Sequence, residues 1–273
     1  MTLTREQFAR ASAWEAHQLR LQQLQRMSYR ELQLLLTGNH AEAALWVRSA
    51  AECGVPAARV RLGRMLLEGQ GVERDPQAAF MWFARAADRG DAEALNMMGR
   101  CYENGWGVRL DVERAAGCYR SSAQGGHDWG EYNFGNMLLN GLGVARDLPQ
   151  ALQWYLRAAR RGHGRAMNLA ARCLEEGWGC ERSLSEAAHW YRRAAESGYF
   201  RAQFNYAVWL MERGEEVAAA QWFAKAAHAG DAGVRRAIES VLARTRSPAL
   251  AGVRKMVGAP AHAATQQIEP ESP

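Results

Sequence analysis

Lysine is nearly missing from this chain: of its 34 basic residues, all but Lys225 and Lys255 are arginine. In a sequence so rich in alanine and glycine, that bias reads as base composition. The arginines are also interleaved with Glu and Asp, so a net charge of +5 makes no clustered nucleic-acid footprint. Cysteine is scarce and unpatterned. Cys53, Cys101, Cys118, Cys173 and Cys180 form no C-x-x-C and leave one thiol over, which argues against a disulfide framework. No run approaches the ~20 apolar residues of a membrane span. Arg5, Glu6 and Arg10 stand where a signal peptide would be apolar, so a reducing cytoplasm is the expected compartment. No Ser or Cys has a base motif around it, and nucleophilic catalysis finds no support. His127 and His163 fall at matching places but bring no third ligand, so neither metal nor cofactor is expected.

What the chain does have is one sentence written several times, at 36-residue intervals. Residues 141–162 carry its fullest form. A glycine-punctuated turn leads to Asp147, placed to cap a helix, with Pro149 inside the first turn. Ala151, Trp154, Tyr155, Ala158 and Ala159 follow at helical spacing, and Gly162 closes the helix. Full units are expected over 55–90, 91–126, 127–162 and 163–198. Their turns repeat as Gly69/Gly71, Gly105/Gly107, Gly141/Gly143 and Gly177/Gly179. Their caps are Asp75, Asp111, Asp147 and Ser183, and their aromatic pairs Trp82/Phe83, Cys118/Tyr119, Trp154/Tyr155 and Trp190/Tyr191. Small residues recur in the first helix of each unit, at Ala58, Ala94, Gly130 and Ala166 and at Gly63, Gly99, Gly135 and Ala171. Small residues in register let helices approach closely and let each unit bury its stripe on the next.

The ends are irregular. A helix over residues 1–22, capped by Thr4 and including Phe8, is expected to run on to about Arg26. A shortened opening unit follows over 23–54, with a capping box of Ser28 and Glu31 before Leu32, Leu34, Leu35 and Leu36. Unit 199–230 lacks the turn. Residues 231–246 form a capping helix without a second helix, and 247–273 form a tail, largely disordered after 257.

The 36-residue period, the G-x-G-V turn, Asp before the second helix, W-Y-x-x-A-A and the closing glycine resemble Sel1-like repeats, a branch of the tetratricopeptide-type solenoids. The resemblance covers about residues 23–246. It implies an all-α, right-handed solenoid of stacked antiparallel helix pairs that binds a protein or peptide and has no catalytic residues. Some disulfide-rich relatives are claimed as hydrolases, and self-assembly through the Leu/Gln-rich N-terminal helix is a further alternative; oligomeric state cannot be read.

In such arrays one face of the first helices lines the concave groove. Here that face carries Arg64, Asn96, Arg100, Trp129, Tyr132, Asn136, Asn168, Arg172 and Phe204. Arg grips carboxylates, Asn bonds backbone donors and acceptors, and the aromatics supply anchor area. The expected partner is therefore a protein segment, acidic or C-terminal, with no nucleic acid and no membrane. Against this, Arg100 and Arg172 have Glu103 and Glu175 three residues on, close enough to pair along the helix. Both readings stand on sequence alone.

Overall fold

In a computed structural model the described residues are 13–27, 40–245 and 247–258. Thr4, Phe8, the Ser28–Glu31 capping box, the leucines at 32–36 and the tail from 259 lie outside them. The described residues form helices and turns with no strand. By internal packing the chain divides after Arg146 into two compact units.

The first unit holds α1 (Ala13–Arg26), α2 (His40–Glu52), α3 (Pro56–Glu68), α4 (Pro76–Ala87), α5 (Ala92–Asn104), α6 (Val112–Gln124) and α7 (Asp128–Asn140). Each helix packs on the one before it, and first helices α5 and α7 also touch. The second unit holds α8 (Leu148–Arg160), α9 (Gly164–Glu176), α10 (Leu184–Glu196), α11 (Phe200–Met211), α12 (Glu216–Ala229), α13 (Ala232–Leu242), a short 3-10 turn (Pro248–Leu250) and α14 (Ala251–Val257), packed in the same manner.

The caps fall where the sequence puts them. Asp75, Asp111 and Asp147 each accept the backbone N–H three residues on at 2.9 Å, and Ser183 accepts that of Glu186 at 3.4 Å. Arg74, Arg146 and Arg182, one residue ahead of the cap, reach back to the carbonyls of Leu67, Leu139 and Glu175. Arg74 and Arg182 thereby tie the end of a first helix to the start of its partner. Repeat 91–126 has Leu110 at this place, left 58% exposed.

The turn glycine earns its place at Gly107. Its φ is +70°, and a Cβ there would run into the Pro76 carbonyl at the start of the preceding second helix. Gly71 and Gly143 meet the backbone of His40 and of Val112 in the same way. Each turn is thus seated on the repeat before it.

Of the two aromatics that the sequence puts in the stripe, the second is the deeper one, and the first is buried only at Trp82. Phe83, Tyr119, Tyr155 and Phe223 are fully buried, whereas Trp154 and Trp190 are half-buried. Tyr155 lies one helical turn from Ala151 and Ala158–Ala159, so it points into the core. Trp154 sits at the rim, where the guanidinium of Arg157 covers its ring at 4.5 Å. The same cover recurs as Arg85 on Trp82, Arg193 on Trp190 and Lys225 on Trp222. Where Cys118 replaces the tryptophan, Ser121 replaces the cation.

Small residues answer the large ones. A Cβ on Gly99 would lie 2.6 Å from the Tyr119 ring, so this glycine makes room for its own repeat's core aromatic. Between repeats, Ala86 is followed eight residues on by Ala94, Ala158 by Ala166 and Ala194 by Ala202, all fully buried. At one junction the pair becomes Ser122 and Gly130. The larger Ser122 donates to the Ala92 carbonyl at 2.6 Å, and a Cβ on Gly130 would collide with its side chain.

At the C-terminal end the weak helical stretch that the sequence suggests between Pro248 and Val257 forms as α14, and it covers the end of the array. Leu250, Val253 and Val257 are buried in one cluster with Phe223, Ile238 and Leu242. Arg254 donates to the carbonyls of Leu242, Thr245 and Ser247, closing the frayed end of α13.

Candidate functional site

The first helices of the first unit carry six of the sequence-chosen residues, and their fates differ. Arg64 on α3 pairs with Glu93 of α5 at 2.6 Å, both partly exposed. Asn96 on α5 is 4% exposed, and its side-chain oxygen accepts from the amide of Asn133 on α7 at 2.8 Å. It fastens two first helices together. Arg100 is exposed and lies over the indole of Trp106 at 5.2 Å, with a weak contact to the Met97 sulfur. Trp129 is 40% exposed and stands edge-on to half-buried Tyr132 at 6.0 Å. Asn136 is half-buried, and its backbone carbonyl accepts from Asn140.

The second unit repeats the arrangement. Asn168, 9% exposed, accepts from Asn205 of α11 at 2.7 Å. Arg172 is exposed over Trp178 at 5.0 Å. Phe204 is half-buried against Phe223, their centroids 6.0 Å apart.

Neither helix-face pair expected from the spacing forms. Glu103 instead takes the hydroxyl of Tyr119 at 2.6 Å, and Glu175 that of Tyr191 at 2.8 Å. Burial first, and then the bond to the carboxylate, hold both phenols well above the ordinary tyrosine range. The tyrosines thus take one carboxylate oxygen of each acid that helical spacing offers to Arg100 and Arg172. Each guanidinium lies within cation–π reach of its indole and remains exposed to solvent.

The sequence contained this and it was missed. Repeats 91–126 and 163–198 share Asn96/Asn168, Arg100/Arg172, Glu103/Glu175 and Trp106/Trp178. The repeats that follow them share Asn133/Asn205, with an aromatic at Tyr132/Phe204 and an aliphatic at Leu139/Met211. The array has a 72-residue period beneath the 36-residue one. Glu131 and Gln203 were also passed over: both are buried at a place where sister repeats have Leu95 and Met167.

Other chemistry is quiet. All five cysteines are free. Burial pushes the Cys101 and Cys173 thiols up to about 12, far from the thiolate needed for reaction. His127 and His163 are helix caps, their Nδ1 atoms accepting from Gly130 and Ala166. Among the described residues no three His, Cys, Asp or Glu side chains converge as metal ligands, and no helix is long and apolar enough to cross a membrane. A cavity of about 440 Å³ lies beside the 69–75 turn. Of its polar lining groups, Arg74 and Asp75 are already committed to helix ends.

The family model of the Sel1 repeat matches residues 26–55, 56–91, 92–127, 130–163, 164–199 and 201–231. No curated protein sequence matches the chain. Among solved structures, a Sel1 repeat protein from Oxalobacter formigenes is 27% identical, with a TM-score of 0.72 over 84% of this chain and 98% of its own. A protective antigen of uropathogenic Escherichia coli strains, with an SLR fold, is 29% identical with a TM-score of 0.65. That match covers 80% of this chain, which spans about half (49%) of the antigen's length. A Sel1 repeat protein from Klebsiella pneumoniae (18% identity, TM-score 0.51, 73% and 99% coverage) shares the fold.

Proposed function

Because the chain belongs to the Sel1 repeat family, whose members are generally protein-interaction scaffolds, we propose that it is a non-catalytic adaptor that holds a partner protein along the face of its first helices. The observation that carries this reading is the repeated exposed guanidinium. Arg100 and Arg172 are each set on an indole, and the neighbouring Glu is taken by a tyrosine. Two exposed cations at equivalent places, neither in an ion pair with a described residue, are suited to carboxylates. That favours an acidic or C-terminal segment as the partner. A reducing cytoplasm is the compartment we assign, in keeping with five free thiols.

The test is position-specific photo-cross-linking in the native host. A cross-linker replaces Trp129 on the first-helix face or Met81, 52% exposed on second helix α4. One protein captured from position 129 and not from 81 is the expected result. Capture from 81 alone would move the binding face to the second helices and end this reading.

A further inference from the structure

The geometry points to a two-part subsite, present once in each unit, that takes an acidic side chain of the partner on the indole-backed arginine and a bulky apolar side chain of the same segment on the next first helix. The inference rests on the first-helix face being the binding face, and it specifies what that face selects.

The cationic half is built for one kind of ligand. Arg100 over Trp106 and Arg172 over Trp178 make no ion pair with any described residue, and Glu103 and Glu175 are held by tyrosine hydroxyls. Arg64 is an internal contrast. Gln70 replaces the tryptophan in its turn, and Glu93 already neutralises it at 2.6 Å. Where the indole is present the arginine lacks an acid, and where the indole is absent it has one. An exposed guanidinium beside a ring and without an ion pair among the described residues keeps its forked N–H donors for a carboxylate, which calls for Asp, Glu or a chain terminus.

The apolar half follows on the next first helix, fastened to the first by the Asn96–Asn133 and Asn168–Asn205 bonds. In the first unit α7 offers Trp129, 40% exposed, and Tyr132. In the second, α11 offers Phe204, partly covered by Phe223. Partly exposed aromatics on the helix joined to the one that carries the arginine are anchors for a large apolar side chain. The occupant is therefore an extended protein segment pairing an acidic with an apolar residue, and each unit takes one such pair.

The experiment measures fluorescence anisotropy of the full chain with labelled Gly/Ser peptides carrying one Glu and one Phe at varied separation. Matched peptides carry Gln for Glu or Ala for Phe. At the best separation, either replacement is expected to weaken binding about tenfold. Arg100→Gln with Arg172→Gln should abolish the preference for Glu over Gln and keep that for Phe over Ala. Arg64→Gln should change neither preference. The inference is overturned if the Gln peptide binds equally, if the Glu preference survives the double variant, or if no peptide binds. Equal competition by an oligothymidylate overturns it as well, since the face would then be a general anion surface. None of these results touches the cross-linking pattern from positions 129 and 81, which judges the broader reading separately.

Discussion

At the scale of single residues, the informative positions are those where one repeat departs from its sisters. Gly130 stands where Ala94, Ala166 and Ala202 stand, because Ser122 has taken the space. Gly130→Ala should therefore cost about 1–3 kcal/mol, although alanine is the better helix former. Combined with Ser122→Ala, its cost should shrink, and a double-mutant cycle by chemical denaturation reads the coupling directly. Additivity of the two changes would show that they do not meet. Core aromatics separate just as cleanly: Tyr155→Ala should cost about 3–5 kcal/mol and Trp154→Ala distinctly less, since only Tyr155 is fully buried. Equal losses in melting experiments would put the stripe back on the tryptophan. Titration gives a third prediction. Cys101 and Cys173 are raised to about 12, and the Tyr119 and Tyr191 phenols lie above their usual range. Each is favoured in its protonated form by folding. Their contribution is complete below the unfolded values, near 9 for the thiols and 10 for the phenols, and is lost as pH rises through the folded ones. Unfolding free energies measured from pH 8 upward should fall above about 9. Tyr119→Phe with Tyr191→Phe should flatten the part of that fall above about 10.

At the scale of elements, helix ends decide more than helix middles. Asp111→Ala removes the only side-chain cap of α6 in a repeat that also lacks the arginine clamp, Leu110 taking its place. A loss of about 0.5–2 kcal/mol is expected in thermal or denaturant unfolding. Truncation after Thr245 should cost more, because it strips Leu250, Val253, Val257 and Arg254 from α12 and α13. Unchanged melting would show that α14 is ornamental. Helix starts, turns and the stacking of pairs were legible in the sequence because local chemistry specifies them: a capping Asp, a proline in the first turn, a glycine with positive φ. Burial of the second aromatic rather than the first was less visible. Adjacent residues differ by only about 100° around a helix, and both fit an apolar stripe. The site was legible in part. Wheel position predicts that Arg64, Arg100 and Arg172 face solvent, as they do, but Asn96 and Asn168 sit deeper, each hydrogen-bonded to the next first helix. Spacing within one helix also favoured Glu103 for Arg100, whereas the hydroxyl that takes Glu103 arrives from sixteen residues away on α6.

For the molecule as a whole, stability and binding should come apart. Arg100→Ala with Arg172→Ala removes exposed side chains that make no ion pair with any described residue, so melting should move little, within about 1 kcal/mol. Affinity for the cross-linked partner, measured by calorimetry, should drop strongly. A large fall in melting temperature would mean that these arginines serve the fold. The asparagine bonds between neighbouring first helices also bear on how such a gene can change length. In-frame loss of repeat 91–126 would set Asn133 against Val60, and loss of 127–162 would set Asn96 against Leu169, leaving an orphaned amide in either case. Loss of 127–162 would in addition press Ser122 on Ala166, where Gly130 now makes room. Loss of 91–162 together removes both halves of both arrangements and leaves Asn168 and Asn205 matched. Between residues 91 and 230, recombination at equivalent sites can thus drop repeats without orphaning one of these amides only two at a time, whereas repeat 55–90 holds neither half of a pair, so lineages should differ over that stretch by even numbers of repeats.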